Sequence, residues 1–413
     1  MDPVPTVVVG AGQRGRHVYG RWALDHPDSM RVVAVVEPDD DRRDAFARDH
    51  RIDADLRFRA VSELDLTDSG IEGVIVATPD RSHHDVAMWA IDQGVHTLLE
   101  KPMAATLAQS VEVVERAHRS AGTVHVAHVL RYTPFFRIVH EIVESGRLGD
   151  LVTVDHRENV AAFHMAHSFV RGNWARAEDS TPMIVQKCCH DFDILTWNLD
   201  DPVVRLTSVG SRRHFVPEDA PIGSTRRCTD GCTVVECPFD ARHIYLDPAV
   251  TGWPVHVITD DLTIEGRLAA LRTGPYGRCV YTAGSSVVDH QVVTMETRSG
   301  ASVTLTMHGH SDREQRTMRY DGTRGTLRAK TGPTPRITVS DHRGGGQRDI
   351  DVPAAVGGHG GGDDGVIRSF VDSMRTGRPG PTDASTALRS HVLAFLAEQA
   401  RTEGRWIETG WRR

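Results

Sequence analysis

The sequence predicts a two-part chain: an N-terminal doubly wound parallel sheet, then an α+β domain with a large, predominantly antiparallel sheet. Three observations carry this. A β-branched run at residues 6–9 passes at once into a glycine-spaced turn and a helix pattern. Strands and amphipathic helices then alternate to about residue 129, and strand-like runs follow one another from residue 151. Alternation places helices on both faces of a parallel sheet, whereas strands in succession pair antiparallel.

Taken in order, Gly10, Gly12 and Gly15 stand in GxGxxG spacing between the first strand and a helix reaching about Asp25. Gly10 permits the tight turn, Gly12 lets backbone approach a pyrophosphate, Gly15 lets helix pack on strand, and the helix N-terminus faces the anion. Gln13 and Arg14 lie inside this loop and count as cofactor-contacting. The second strand, residues 31–36, ends in Glu37, 22 residues past Gly15, where a carboxylate would bond a ribose diol. A carboxylate there repels a 2′-phosphate and favours NAD, while Arg42 and Arg43 downstream leave NADP open. Further strands are expected at 73–78, 96–99 and 124–129, with helices from Ser82 to about Gly94 and over 107–119. Residues 1–127 thus read as the dinucleotide-binding domain and 128–413 as a second, substrate-binding and oligomerisation domain.

In the second domain, strand-like runs stand at 151–156, 203–210, 287–300, 301–309 and 324–330, with one helix over 182–198 opened by Thr181 and Pro182. Residues 343–365 hold GGG twice and read as either a flexible surface loop or an ordered active-site flap; residues 366–403 return to helical period.

Composition narrows the function classes. With 39% hydrophobic and 25% charged residues the chain is globular, and a net charge of −8 offers no basic excess for gripping nucleic acid. No run approaches 18 apolar residues, and a strand beginning within the first ten residues leaves no room for a secretory leader, so a cytoplasmic protein is expected. Six cysteines in that setting argue against a disulfide framework. Cys228, Cys232 and Cys237, with Cys279 as a fourth thiolate, read as either a closed structural zinc site or separate reduced thiols.

Ligands of such sheets bind outside the carboxyl ends of the strands, and two of those ends carry loaded loops, residues 77–84 and 99–103. Only three of the 48 basic residues are lysines, Lys101, Lys187 and Lys330. A lysine that persists against such a bias is a candidate for chemistry that a permanently protonated guanidinium cannot perform. Lys101 follows a strand directly, and Pro102 biases it away from helical geometry. In the helix over 182–198, Lys187, His190 and Asp193 are three apart and share a face, so that a histidine sits between an ammonium and a carboxylate as a general acid/base.

The glycine loop, ATPDRSH at 77–83, EKP at 100–102, RYTPFF at 131–136 and HDFD at 190–193 together resemble the glucose-fructose oxidoreductase and inositol dehydrogenase (Gfo/Idh/MocA) family over nearly the whole chain. The resemblance implies a Rossmann domain plus a sheet domain whose open face often forms the oligomer interface, hence a homo-oligomer, dimer or tetramer. It also implies NAD(P)-dependent oxidation or reduction of a hydroxyl on a sugar, cyclitol or related polyol. By position Lys101 matches the EKP lysine and His190 the catalytic histidine; Thr78, Pro79 and His83 match the cofactor-contacting loop, and Glu100 helps to place Lys101. Many members carry an aspartate four residues before the histidine, where this chain has Gln186 with Lys187 beside it; Lys187 is therefore expected to stabilise alkoxide character. Residues 166–174 resemble a subgroup's segment and offer His167, Arg171, Asn173 and Trp174, with Arg131 and Asp193, as substrate contacts, against the plainer reading of a surface loop with a buried Trp. Typical members lack the cysteine cluster. Some relatives retain the cofactor and cleave glycosides with no net redox change, and the yeast galactose repressor binds dinucleotide and a partner protein without catalysis; the presence of Lys101, Lys187 and His190 speaks against the sensor.

Overall fold

The computed structural model describes residues 2–67, 69–355 and 357–411, and the chain divides into two compact units. The first comprises residues 1–145, 189–200 and 352–395, and the second 146–188, 201–351 and 396–413.

The first unit is built on six parallel strands: β1 (Val4–Val9), β2 (Met30–Val36), β3 (Arg57–Phe58), β4 (Gly73–Val76), β5 (His96–Leu99) and β6 (Val124–Val126). Their order is β3-β2-β1-β4-β5-β6, so the winding reverses between β1 and β4, the place where such sheets open a ligand crevice at their carboxyl ends. Helices cover both faces, and the central strands lose polar/apolar alternation: Val7, Val8 and Val9 are all buried, as are Val74, Ile75 and Val76. Side-chain caps fix the helix starts. Asp39 accepts from the Arg42 N–H at Asp40–His50, Thr106 from Gln109 at Leu107–Ala117, and Thr133 from Phe136 at Pro134–Glu144; each cap contributes about 1 kcal/mol.

β6 is shorter than the sequence suggests, because the chain turns into a 3-10 segment, Val129–Tyr132, that buries Arg131. There the guanidinium makes a two-pronged ion pair with Asp193, Nε to Oδ2 at 2.6 Å and Nη2 to Oδ1 at 2.7 Å. Asp193 lies on the helix Cys189–Leu199, which packs against Pro134–Glu144. The single helix expected over 182–198 is in fact two, Met183–Gln186 and Cys189–Leu199, with Lys187 and Cys188 between them. The Lys187 ammonium pairs with Glu158 and Glu314 in the second unit, and Asp193 is held by Arg131 in the first.

The second unit carries a nine-stranded sheet ordered β14-β13-β12-β11-β7-β10-β9-β8-β15, formed by β7 (Leu151–Ala161), β8 (Val203–Ser211), β9 (His290–Thr297), β10 (Ser302–Ser311), β11 (Gln315–Gly322), β12 (Gly325–Lys330), β13 (Arg336–Asp341), β14 (Gln347–Ile350) and β15 (Ile407–Glu408). Only the β7–β10 pairing is parallel, which makes the sheet mixed but mostly antiparallel, as the sequence predicts. In β9 and β10 every second residue is buried, the signature of a sheet packed on one face. The glycine-rich stretch at 343–365 contributes to two separate features. Gly344 and Gly346 turn the β13–β14 hairpin, and Gly358–Gly361 forms a short 3-10 turn in the first unit. Among the described residues no helix is long and apolar enough to cross a membrane.

Breaking the Arg131–Asp193 pair strands one buried charge. Arg131→Ala is expected to destabilise the first unit by about 3–5 kcal/mol in urea denaturation, whereas Arg131→Met combined with Asp193→Leu recovers most of that loss.

Candidate active site

The glycine loop is shaped by two close approaches and one opening. Gly10 sits at φ +95°, where a Cβ would lie 2.6 Å from the Ala77 carbonyl oxygen, and a Cβ on Gly15 would collide with the Gly10 carbonyl. At Gly12 a Cβ would meet no atom of the protein within 4 Å. Gly10 and Gly15 therefore serve the fold, while the bare face of Gly12 serves something laid against the loop from outside. Glu37 supports the loop: its Oε2 accepts the Ala11 N–H at 2.8 Å and its Oε1 the Asp39 N–H at 3.1 Å. This cradle fits a dinucleotide, whose pyrophosphate would lie over Gly12 at the start of the following helix.

Glu100, at the carboxyl end of β5, ties that loop to Lys101. Its Oε1 accepts from Arg14 Nε and from the Tyr19 hydroxyl, each at 2.5 Å, and its Oε2 accepts the Lys101 N–H at 3.0 Å. Arg14 also donates through Nη2 to Asp363 at 2.9 Å. Burial pushes the Glu100 carboxyl up, but the charges of Arg14 and Lys101 and the Tyr19 hydrogen bond outweigh it and hold the group below its ordinary value. At Asp363 burial is likewise outweighed, by Arg14 and His359, and the carboxyl is held far below the ordinary range.

Two further histidines fix the loops at the carboxyl edge. His83, buried, spans the Thr78 and Pro102 carbonyls at 2.8 and 2.6 Å, and so joins the loop after β4 to the loop after β5. His391 accepts the Met103 N–H on Nε2 at 2.9 Å and places Nδ1 on the Ala387 carbonyl at 2.8 Å. Burial lowers the His391 pKa to about 3, helped by His128 and Lys101, so the ring is neutral and its tautomer is set by those two partners. His190 is nearly buried, with its ring edge-on to His128 at 5.6 Å and 6.4 Å from the ring of His359. Burial keeps His128 below its ordinary value, and the Lys101 charge acts in the same direction. Lys101 and His190 thus share His128 as a neighbour.

The remaining sequence candidates lie in the second unit, and most are committed to its interior. Lys187 lies 3.2 Å from Glu158 and 2.9 Å from Glu314. Burial would lower its pKa, but the two carboxylates raise it above the ordinary value. Arg171 is 4% exposed and donates to the carbonyls of Arg278 (2.7 Å) and Phe239 (2.6 Å) and to Cys228 Sγ. His167 bonds the Tyr245 hydroxyl at 2.8 Å and stacks on Tyr276, and burial brings its pKa to about 3. Trp174 is half-buried beside Phe169, and Asn173 is exposed. Cys228, Cys232, Cys237 and Cys279 line one small pocket together with Arg171.

A family model described as an oxidoreductase family with an NAD-binding Rossmann fold matches residues 4–128, and its companion, an oxidoreductase C-terminal alpha/beta domain, matches residues 140–409. The chain belongs to the Gfo/Idh/MocA oxidoreductase family. Among its curated relatives, the putative oxidoreductase YteT of Bacillus subtilis is 26% identical over 70% of this chain and 69% of its own length. Inositol 2-dehydrogenase 1 of Saccharopolyspora erythraea is 31% identical over 48% of this chain and 56% of its own length, so that match spans little more than half of the relative. Levoglucosan dehydrogenase, solved with NADH and L-sorbose, superposes at a TM-score of 0.73 with 15% identity over 99% of both chains. An oxidoreductase from Agrobacterium radiobacter, solved with NAD+, L-tartaric acid and magnesium, superposes at 0.70 with 16% identity over 98% of both. At these identities the two structures speak for the fold.

Within this Gfo/Idh/MocA chain several sequence candidates have partners inside the protein. Arg131 and Asp193 are each other's partners in a buried pair. Arg171 and His167 hold the interior of the second unit together. The zinc reading does not fit: among the described residues no group of three His, Cys, Asp or Glu side chains is placed to hold a metal. Arg171 brings a positive charge into that pocket, and Cys228 Sγ already accepts from Arg171 and from the Ala241 N–H. His83 joins two loops through both ring nitrogens. Sequence reasoning also passed over Tyr19, His128, His359, Asp363 and His391. Of these only His128, directly beyond a strand's carboxyl end, stood where a positional rule could have found it.

Two outcomes follow. Gly12→Val is expected to leave the thermal midpoint within about 2 °C while weakening NAD affinity by about 100-fold or more in titration calorimetry, whereas Gly15→Ala lowers the midpoint itself. Glu100 and Asp363 have folded pKa values below their ordinary 4.5 and 3.8, so their stabilisation is complete above those values and is lost as pH falls through the lower, folded ones. A pH series of thermal midpoints should therefore decline below about pH 4, and Glu100→Gln should start lower at neutral pH and decline less steeply.

Proposed function

We propose that the protein is an NAD-dependent dehydrogenase acting on a secondary hydroxyl, or in reverse on the ketone, of a sugar, cyclitol or related polyol. The observation that carries this is Glu100: one carboxylate holds both the dinucleotide loop, through Arg14, and the backbone of Lys101. The main chain of Lys101 is thereby held at the carboxyl end of β5, where the reacting end of a bound cofactor belongs. Relatives bearing the name inositol 2-dehydrogenase support the substrate class.

NAD is favoured over NADP by Glu37, whose buried carboxylate at the end of β2 would oppose a 2′-phosphate. Arg43, the nearest counter-argument, donates to the Glu37 carbonyl and is ion-paired with Asp40. Bound NAD+ supplies the acceptor for the hydrogen leaving carbon. Lys101 and His190 bracket the reacting hydroxyl: one takes its proton, and the ammonium of Lys101 stabilises the oxygen as negative charge grows. Lys187 is neutralised by Glu158 and Glu314, so the stabilisation assigned to it from sequence falls to Lys101. The reading includes a dimer or tetramer joined through the open face of the nine-stranded sheet, in the cytoplasm.

The test is a substrate panel of cyclitols, aldoses, amino sugars and glycosides with NAD and NADP, following absorbance at 340 nm and product mass together. The expected result is NAD reduction matched by a product two hydrogens lighter, with Lys101→Ala and His190→Ala each lowering kcat by about 100-fold or more. Product without bulk NAD reduction would replace this reading with redox-neutral cleavage, and NAD binding without turnover on any member would replace it with a sensor.

A further inference from the structure

His359 stands apart from the other histidines of the first unit. It is a non-glycine residue in the left-handed region (φ +50°, ψ +36°), followed by Gly360 and Gly361 at φ +65° and +83°. Glycine adopts this region freely, but a histidine there is costly unless its surroundings fix it, and such backbone collects at ligand clamps. Here the surroundings do fix it. A Cβ on Gly358 would collide with the Asp363 carboxylate, one on Gly362 with the Val129 carbonyl, and one on Gly365 with Tyr132. The turn is therefore seated firmly on its neighbours.

Its side chain is aimed by one carboxylate, whose two oxygens both lie within hydrogen-bond distance of Nδ1. Nδ1 of His359 lies 3.0 Å from Asp363 Oδ2, and Arg14 holds the same carboxylate from the other side at Oδ1. A carboxylate only accepts, so Nδ1 carries the proton, and Nε2 is the ring nitrogen turned away from Asp363. The side chain is 48% exposed, and its ring lies 6.4 Å from that of His190. That spacing puts the two imidazoles close enough to meet neighbouring hydroxyls of one small polyol.

We propose that His359 is a specificity-determining residue that binds the hydroxyl on the carbon next to the one oxidised, so that the enzyme selects vicinal diols. The inference rests on the reading of His190 and Lys101 as the reacting centre. His359, Asp363, Arg14 and Glu100 form one continuous chain of contacts, so the second hydroxyl is held from the same framework that holds the dinucleotide loop and Lys101.

The experiment compares wild type, His359→Ala and His359→Gln in the full chain, on a polyol turned over by the wild type and on its analogue lacking the neighbouring hydroxyl. His359→Ala is expected to lower kcat/KM for the diol by about tenfold or more and for the deoxy analogue by less than about twofold, with His359→Gln recovering part of the loss. NAD affinity, measured separately by calorimetry, should change by less than about twofold in either variant. Equal losses on both substrates, or a loss of NAD affinity, would overturn the proposal. If the wild type oxidises nothing, the proposed function fails on its own. The inference is then decided by binding of myo-inositol to the NAD-loaded protein: binding lost in His359→Ala upholds it, and binding unchanged or absent from the wild type overturns it.

Discussion

The buried carboxylate of Glu100 is the constraint on which the first unit's site depends. It is 5% exposed, and it accepts from a guanidinium, a phenol and a backbone amide at once. A buried carboxylate left without partners would be strongly destabilising, so the positions of Arg14, Tyr19 and Lys101 follow from the requirement that it be satisfied. Those three residues come from the glycine loop, the helical segment after it and the end of β5. Satisfying one acid therefore sets the geometry of the cofactor cradle and of the lysine together.

From that point the network spreads outward by the same logic. Arg14 has more donors than Glu100 can accept, and its Nη2 is used by Asp363, which in turn orients His359. On the other side of Lys101, the Met103 amide is met by a neutral His391 and the Pro102 carbonyl by His83. Each loop at the carboxyl edge of the sheet is tied to a neighbour by a hydrogen bond or ion pair. The second unit shows a parallel economy: Glu158, fully buried, is paired with Lys187 and Arg316, and Arg171 is surrounded by carbonyl oxygens and a thiol.

The first sheet was legible because local signals dominate there. Runs such as VVV at 7–9 are apolar on both faces, and the glycine spacing has one structural meaning in that setting. β11 was not seen because Met318 and Tyr320 alternate with Arg and Asp on the solvent side, which hides the apolar stripe in a polar segment. The pairing of Lys187 is not legible in the helix over 182–198, because its carboxylates stand far away in sequence, at 158 and 314. Of the site, Lys101, His190, Glu100 and the glycine loop could be named from motifs. The partners of Arg131 and Arg171 could not, since a buried guanidinium and a ligand-binding one look alike until the acceptors around them are placed.

The most direct test of this account is the NAD dissociation constant of Glu100→Gln, measured by calorimetry beside a circular-dichroism check that the fold persists. An amide at this position keeps one acceptor but loses the charge that holds Arg14, so affinity is expected to fall by about tenfold or more while the fold remains. A folded Glu100→Gln protein that binds NAD as tightly as the wild type would contradict the claim that this carboxylate organises the site.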